Sequence, residues 1–159
     1  MAVKQSTQIT RIDAHPRATL PVQEHRGKFR VARFDFTQAG AGAIGDDAEL
    51  CELPAGARIL GGQSYIRSSA GSALETMSVG TRAHTNVVTG DVIPENATRF
   101  GTGIACNATP AFNTFASFNG AMAGDTDSML GKVRVFIRFA GAGPPNGQKF
   151  TGEIIFVVD

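Results

Sequence analysis

The chain has no tryptophan, one tyrosine and only two cysteines among 159 residues. Cys51 and Cys106 stand far apart with no C-x-x-C or Cys/His cluster, so the sequence offers neither a zinc site nor a redox pair. Two buried free thiols are expected rather than a disulfide. No apolar run approaches the roughly 18 residues of a membrane span, and the first thirty residues lack the apolar stretch of a signal peptide. Neither a membrane partner nor export by that route is therefore expected. Charged residues make up 18%, below the usual quarter, yet the 42% hydrophobic fraction is too high for a disordered chain.

What is abundant is small or aromatic: 22 alanines, 19 glycines and 11 phenylalanines. There is no Gly-X-Y period and only 7 prolines, which excludes a collagen-like chain. The length predicts one domain, able to bury roughly 68–70% of the surface of its unfolded form without staples. The net charge of +1 conceals an asymmetry. Residues 1–33 hold seven basic side chains (Lys4, Arg11, Arg17, Arg26, Lys28, Arg30, Arg33) against Asp13 and Glu24, a surplus of five. The remaining eight basic and twelve acidic residues leave −4 for the rest.

Residues 1–27 alternate polar, basic and proline-bearing positions without helical periodicity, and read as an extended basic N-terminal arm; a solvated terminus is the plainer alternative. Residues 28–159 read as a β-sandwich domain. Phe29, Val31, Phe34 and Phe36 slip parity at Ala32-Arg33, which predicts a β-bulge or a strand between two packing surfaces. The glycine-rich stretch 38–47 predicts a loop, and Pro54-Ala55-Gly56 a tight turn. A long strand is expected over 57–68, with Gly61-Gly62 as a bulge or a close approach of neighbouring backbone. Shorter strands are expected at 48–53, 72–79, 82–88, 99–105 and 111–118.

Two strands are clearest. In 130–139, Val133, Val135, Ile137 and Phe139 share one face, while Lys132, Arg134, Phe136 and Arg138 share the other. In 150–158, Phe150, Ile154, Phe156 and Val158 form one face, interrupted by Gly152. The Gly/Pro-rich linker between them suggests antiparallel neighbours. Eight or nine short strands with no convincing helical window predict an all-β fold: an antiparallel, jelly-roll-like β-sandwich preceded by the arm.

Chemistry-bearing patterns are sparse. His15, His25 and His84 lack ligand spacing, so no metal is expected. Asp46-Asp47 and Asp125-Thr126-Asp127-Ser128 sit beside glycines, where carboxylates cap turn amides, and neither has the spacing of a calcium loop. Gly40, Gly42 and Gly45 match G-x-G-x-x-G, yet Asp46-Asp47 and a strand follow instead of a helix that could hold a pyrophosphate. No nucleophile elbow or cysteine nucleophile signature occurs. No catalytic residue, small-molecule substrate or cofactor is expected, and the chain does not read as an enzyme. The arm has no aromatic residue on which bases could stack, which argues against nucleic acid. The row Lys132, Arg134, Phe136, Arg138 reads as the exposed face of an edge or outer strand.

Residues 46–62, D-D-A-E-L-C-E-L-P-A-G-A-R-I-L-G-G, resemble a pattern in small virion structural proteins of tailed bacteriophages, and M-S-V-G-T at 77–81 resembles the strand and turn that follow it there. The resemblance covers about a third of the chain. It implies a non-enzymatic β-sandwich or jelly-roll module of the head decoration, or cement, type. The expected role is decoration and stabilisation of a phage capsid by bridging adjacent major capsid protein subunits, as a homo-oligomer on the outer surface of the head. The expected partner contacts are Lys4, Arg11, Arg17, Arg26 and Lys28. A tail- or fibre-associated receptor-binding jelly roll, using the loops around 40–47 and 121–128, is the alternative.

Overall fold

The computed structural model describes residues 3–5, 10, 23–24, 29–107, 111–114 and 129–158. Among them run thirteen strands: β1 (Val3–Gln5), β2 (Gln23–Glu24), β3 (Phe29–Thr37), β4 (Asp47–Leu53), β5 (Ala57–Ile59), β6 (Tyr65–Ser68), β7 (Thr76–Thr81), β8 (His84–Thr85), β9 (Val92–Ile93), β10 (Asn96–Ala105), β11 (Ala111–Thr114), β12 (Val133–Ala140) and β13 (Lys149–Val158). One sheet has the order β1-β4-β12-β7-β10, and the other β11-β6-β13-β3-β2 with β5 also on β13. Strands β8 and β9 form a separate small hairpin.

Eight of these strands form a jelly roll. Taken in chain order as β3, β4, β6, β7, β10, β11, β12 and β13, the first pairs with the eighth, the second with the seventh, the third with the sixth and the fourth with the fifth. All four pairs are antiparallel. This nesting of a long folded ribbon into two sheets is the double Greek key of the jelly roll. The only parallel pairing among the described residues is β1 on β4, so the full sheets are mixed.

The core lies between the sheets and is built by alternation. Val133, Val135, Ile137 and Phe139 of β12 face Phe150, Ile154 and Phe156 of β13, together with Phe34 and Phe36 of β3. Phe150 joins the layers, with its ring 5.3 Å from Phe139 and 6.0 Å from Phe36. Gly152 interrupts the β13 face because a Cβ there would run into the Tyr65 carbonyl and the Phe34 ring.

Several expectations change. The two clearest strands are not neighbours: β12 pairs with β4 and β7, and β13 with β3, β5 and β6. Their apolar faces meet across the core instead of lying side by side, and the connection after Ala140 carries the chain from one sheet to the other. The expected strand 57–68 is two strands, both on β13. Ile59 pairs with Phe156 and Tyr65 with Glu153, so residues 60–64 loop out opposite two residues. Ser64 closes that excursion: its Oγ accepts the Ile155 N–H at 2.9 Å and lies 2.9 Å from the Leu60 carbonyl oxygen, to which it donates.

Of the two readings of the parity slip at Ala32-Arg33, the bulge is absent, since β3 pairs with β13 over nine consecutive residues without a register shift, and the strand instead carries apolar side chains on both faces. Parity slips because Phe29 and Val31 share the outer face with Val157 and Ile155, while Phe34 and Phe36 face the core. Bulges lie elsewhere, around Gly101 in β10 and at Leu50 in β4, opposite Val135 and Phe136 of β12. The strand expected over 72–79 starts at Thr76, and the one over 82–88 shrinks to β8. The part of 111–118 beyond Thr114 lies outside the described residues.

Smaller features follow the sequence reading. Ala57 donates to the Pro54 carbonyl at 3.2 Å, and Gly56 has φ 78°, a turn geometry that favours glycine. Residues 40–45 form a loop running into strand β4, not a helix. Cys51 and Cys106 are both free and buried.

Candidate interaction surfaces

Of the five arm residues expected to contact a partner, only Lys4 is described; it lies half-buried on β1. Arg11, Arg17, Arg26 and Lys28 lie outside the described residues, as do His15, His25, Asp125 and Asp127. The two described pieces of the N-terminal segment pair with the domain itself. Val3, Lys4 and Gln5 lie opposite Asp47, Ala48 and Glu49 of β4, and Gln23 and Glu24 opposite Val31 and Arg30 of β3. In the jelly roll β3 and β4 are the edge strands of their sheets on the same side of the sandwich, so the segment pairs with both edges there.

The most elaborate constellation is on the outer face of the sheet containing β12. Period-two alternation turns Arg134, Phe136 and Arg138 outward from β12 and Asp47 and Glu49 outward from β4, and the register sets Arg138 opposite Asp47 and Phe136 opposite Glu49. Arg138 grips Asp47 with two hydrogen bonds, Nε to Oδ1 at 2.8 Å and Nη2 to Oδ2 at 2.9 Å. Arg82, just after β7, reaches Asp47 Oδ2 at 2.8 Å and Glu49 Oε1 at 3.1 Å. Glu95 bridges both arginines at 2.7 Å. The row continues with Arg134 Nη1 to Glu49 at 3.0 Å and Lys132 Nζ to Glu52 at 2.6 Å.

Beneath these charges Phe136 is fully buried, with the Arg82 guanidinium 4.1 Å and the Arg138 guanidinium 5.2 Å from its ring centre. Two guanidinium groups, held by a row of carboxylates, therefore roof an aromatic ring. Hydrogen bonds donated to Asp47 raise Arg138 above its ordinary value and outweigh the opposing effect of burial. For Arg82 burial is the largest influence and pulls downward, but Glu95 and Asp47 together leave the group raised. Burial pushes Glu95 up, yet hydrogen bonds from the two arginines hold it below its ordinary value.

This corrects the reading of Arg134, Phe136 and Arg138 as an exposed face; of that row only Lys132 stays exposed. Strand β12 lies inside its sheet, Phe136 is covered, and the cations are engaged with carboxylates. The partners Asp47, Glu49, Arg82 and Glu95 were missed. The available signal was the D-A-E alternation of Asp47 and Glu49, in phase with the cations of β12. Asp46 and Asp47, adjacent in sequence, do different work. Asp46 Oδ2 accepts the Ala43 N–H at 2.9 Å, as turn chemistry predicts, whereas Asp47 is a fully buried network carboxylate.

A second buried polar group lies near one end of the sandwich. Glu75, fully buried, accepts the Ser72 N–H at 2.9 Å and the Cys106 thiol at 3.2 Å. Burial, with Glu75 adding to it, pushes that thiol well above its ordinary value, and burial does the same to Cys51. Both thiols are thus protonated and poor nucleophiles. His84 is buried with Nδ1 3.0 Å from the Arg82 carbonyl oxygen. Among the described residues no three His, Cys, Asp or Glu side chains group as a metal site.

Exposed apolar side chains mark the two ends of β12. Val87, whose N–H bonds Leu130 O at 2.9 Å, and Val88, 84% exposed, lie near its start. Ile44 and Leu74, 76% exposed with φ 69°, lie near its end, where Gly45 N bonds Phe139 O at 2.8 Å.

The fold has counterparts among solved structures. A chain in the capsid of Ralstonia phage GP4 superposes with a TM-score of 0.68 at 17% identity, covering 99% of each chain. A chain in the capsid asymmetric unit of cyanophage Pam1 gives 0.55 at 19% identity, covering 91% of this chain and 96% of that one. At these identities the likeness is one of fold. No protein-family model matches the sequence, and no curated protein matches it.

Proposed function

We propose that this chain is a non-enzymatic virion structural protein that decorates a phage capsid, bridging adjacent major capsid protein subunits on the outer surface of the head. The observation that carries this reading is the end-to-end likeness to a chain of a phage capsid, 99% of both lengths at a TM-score of 0.68. The fold gives it a physical basis. A jelly roll with a basic N-terminal segment offers strand pairing and cationic contacts to an acidic, lattice-forming neighbour. Lys4, Arg11, Arg17, Arg26 and Lys28 are the proposed contacts.

Co-sedimentation with empty capsids tests the reading. The full chain pellets with the particles, and a chain lacking residues 1–27 stays in the supernatant; equal binding of both at ordinary salt rejects the arm's role. Quantitative mass spectrometry of separated heads and tails tests the location. Hundreds of copies on heads support decoration, while a few copies on tails favour a receptor-binding module instead.

A further inference from the structure

The eight-strand roll is closed by antiparallel pairs, and β1 stands outside that scheme as a three-residue parallel addition to the β4 edge. Parallel pairing is slightly weaker per residue than antiparallel pairing, and three residues of it bind loosely. Seventeen residues separate β1 from β2. They join Gln5, opposite Glu49 of β4, to Gln23, opposite Val31 of β3. About four residues along β3 at about 3.3 Å each, and sheets about 10 Å apart, make that gap roughly 15–20 Å. Seventeen extended residues reach about 56 Å, more than twice what the connection within one molecule needs.

We propose that β1 is exchanged between copies: Val3–Gln5 of one chain seats on residues 47–49 of a second copy's β4 in the same parallel register. The occupant is the segment already seen on that edge, so exchange trades identical contacts and costs only the freedom of the linker. Within a single chain the arm competes at an effective concentration on the order of 1 mM, so exchange prevails where copies stand side by side, as on a lattice. The inference deepens the proposed role of the arm and takes its setting from that reading, but its test needs no capsid.

Full-length Lys4→Cys chain, bearing a mass tag, is mixed with untagged full-length Ala48→Cys chain and oxidised at concentrations up to about 1 mM. Lys4 and Ala48 are register partners outside the ion-pair network, and the native thiols are buried. The expected result is a tagged–untagged disulfide heterodimer whose share rises with concentration. Its absence through that range overturns exchange. The double variant Lys4→Cys/Ala48→Cys gives a second reading. Disulfide-linked dimers and larger species support exchange, whereas only internally linked monomer, or no link at all, overturns it. Failure here combined with retained arm-dependent capsid binding removes the exchange and leaves the decoration reading standing.

Discussion

The outer faces of the two sheets are built on different principles. On the β3–β13 face Arg33, Asp35, Thr37, Lys149 and Thr151 are exposed, and the strands alternate between core and solvent. On the β4–β12 face Asp47, Glu49 and Phe136 are buried, so these strands are covered on both sides. Water solvates the first face, and paired charges over an aromatic ring cover the second. A salt bridge is therefore a different object on each. Arg33 and Glu153 meet at 2.8 Å with the arginine 63% exposed, whereas Arg138 and Asp47 meet at the same distance around a carboxylate that sees no water.

That contrast breaks most visibly at Asp47. Asp47→Ala removes the shared acceptor of Arg82 and Arg138 and leaves both facing each other over Phe136. Breaking a buried pair costs about 3–5 kcal/mol, and the partly exposed arginine heads place the expected loss near the lower end, about 3 kcal/mol by urea denaturation. A loss within experimental error would make the roof a surface feature like any other. Next in size is the acid response. Glu95 is held below its ordinary value, so its contribution is present in full above the unfolded value of about 4.3 and disappears as pH falls through the depressed folded value. Glu95→Gln should flatten that acid limb in stability curves measured from neutral pH downward; an unchanged slope would place the acid sensitivity elsewhere. The smallest effect belongs to the solvated face, where Arg33→Ala should cost no more than about 0.5 kcal/mol and lose even that in high salt. A cost rivalling that of Asp47→Ala would erase the distinction.

The same difference governs what was legible in the sequence. Alternation against solvent is readable, and β13 with its Phe150, Ile154 and Phe156 face was read correctly, as were the turn at Pro54 and the 40–45 loop. The class of fold followed from such local signals. Pairing did not, because hydrophobic period specifies which face is inward and not which strand lies alongside. Two good strands joined by glycine and proline look like a hairpin, yet eight residues separate Ala140 from Lys149, longer than the two to five of common hairpin loops. Gly61-Gly62 correctly flagged an irregularity, but its size depends on where Ser64 finds the Ile155 amide, a contact 91 residues away in sequence. The network was half visible. The cations of β12 were noticed, but the acids that neutralise them lie on another strand and beyond β9, brought together only by the jelly-roll order.

The roof over Phe136 has a kinetic consequence. Lys132, Arg82, Arg134 and Arg138 balance Asp47, Glu49, Glu52 and Glu95, so beyond a Debye length of about 8 Å that face is electrically silent. The long-range field of the molecule is then shaped by the charges left outside the balance, above all the surplus of five in residues 1–33. An acidic surface would sense the N-terminal fifth first and draw the molecule in by that end, giving an encounter rate that slows steeply as salt is added.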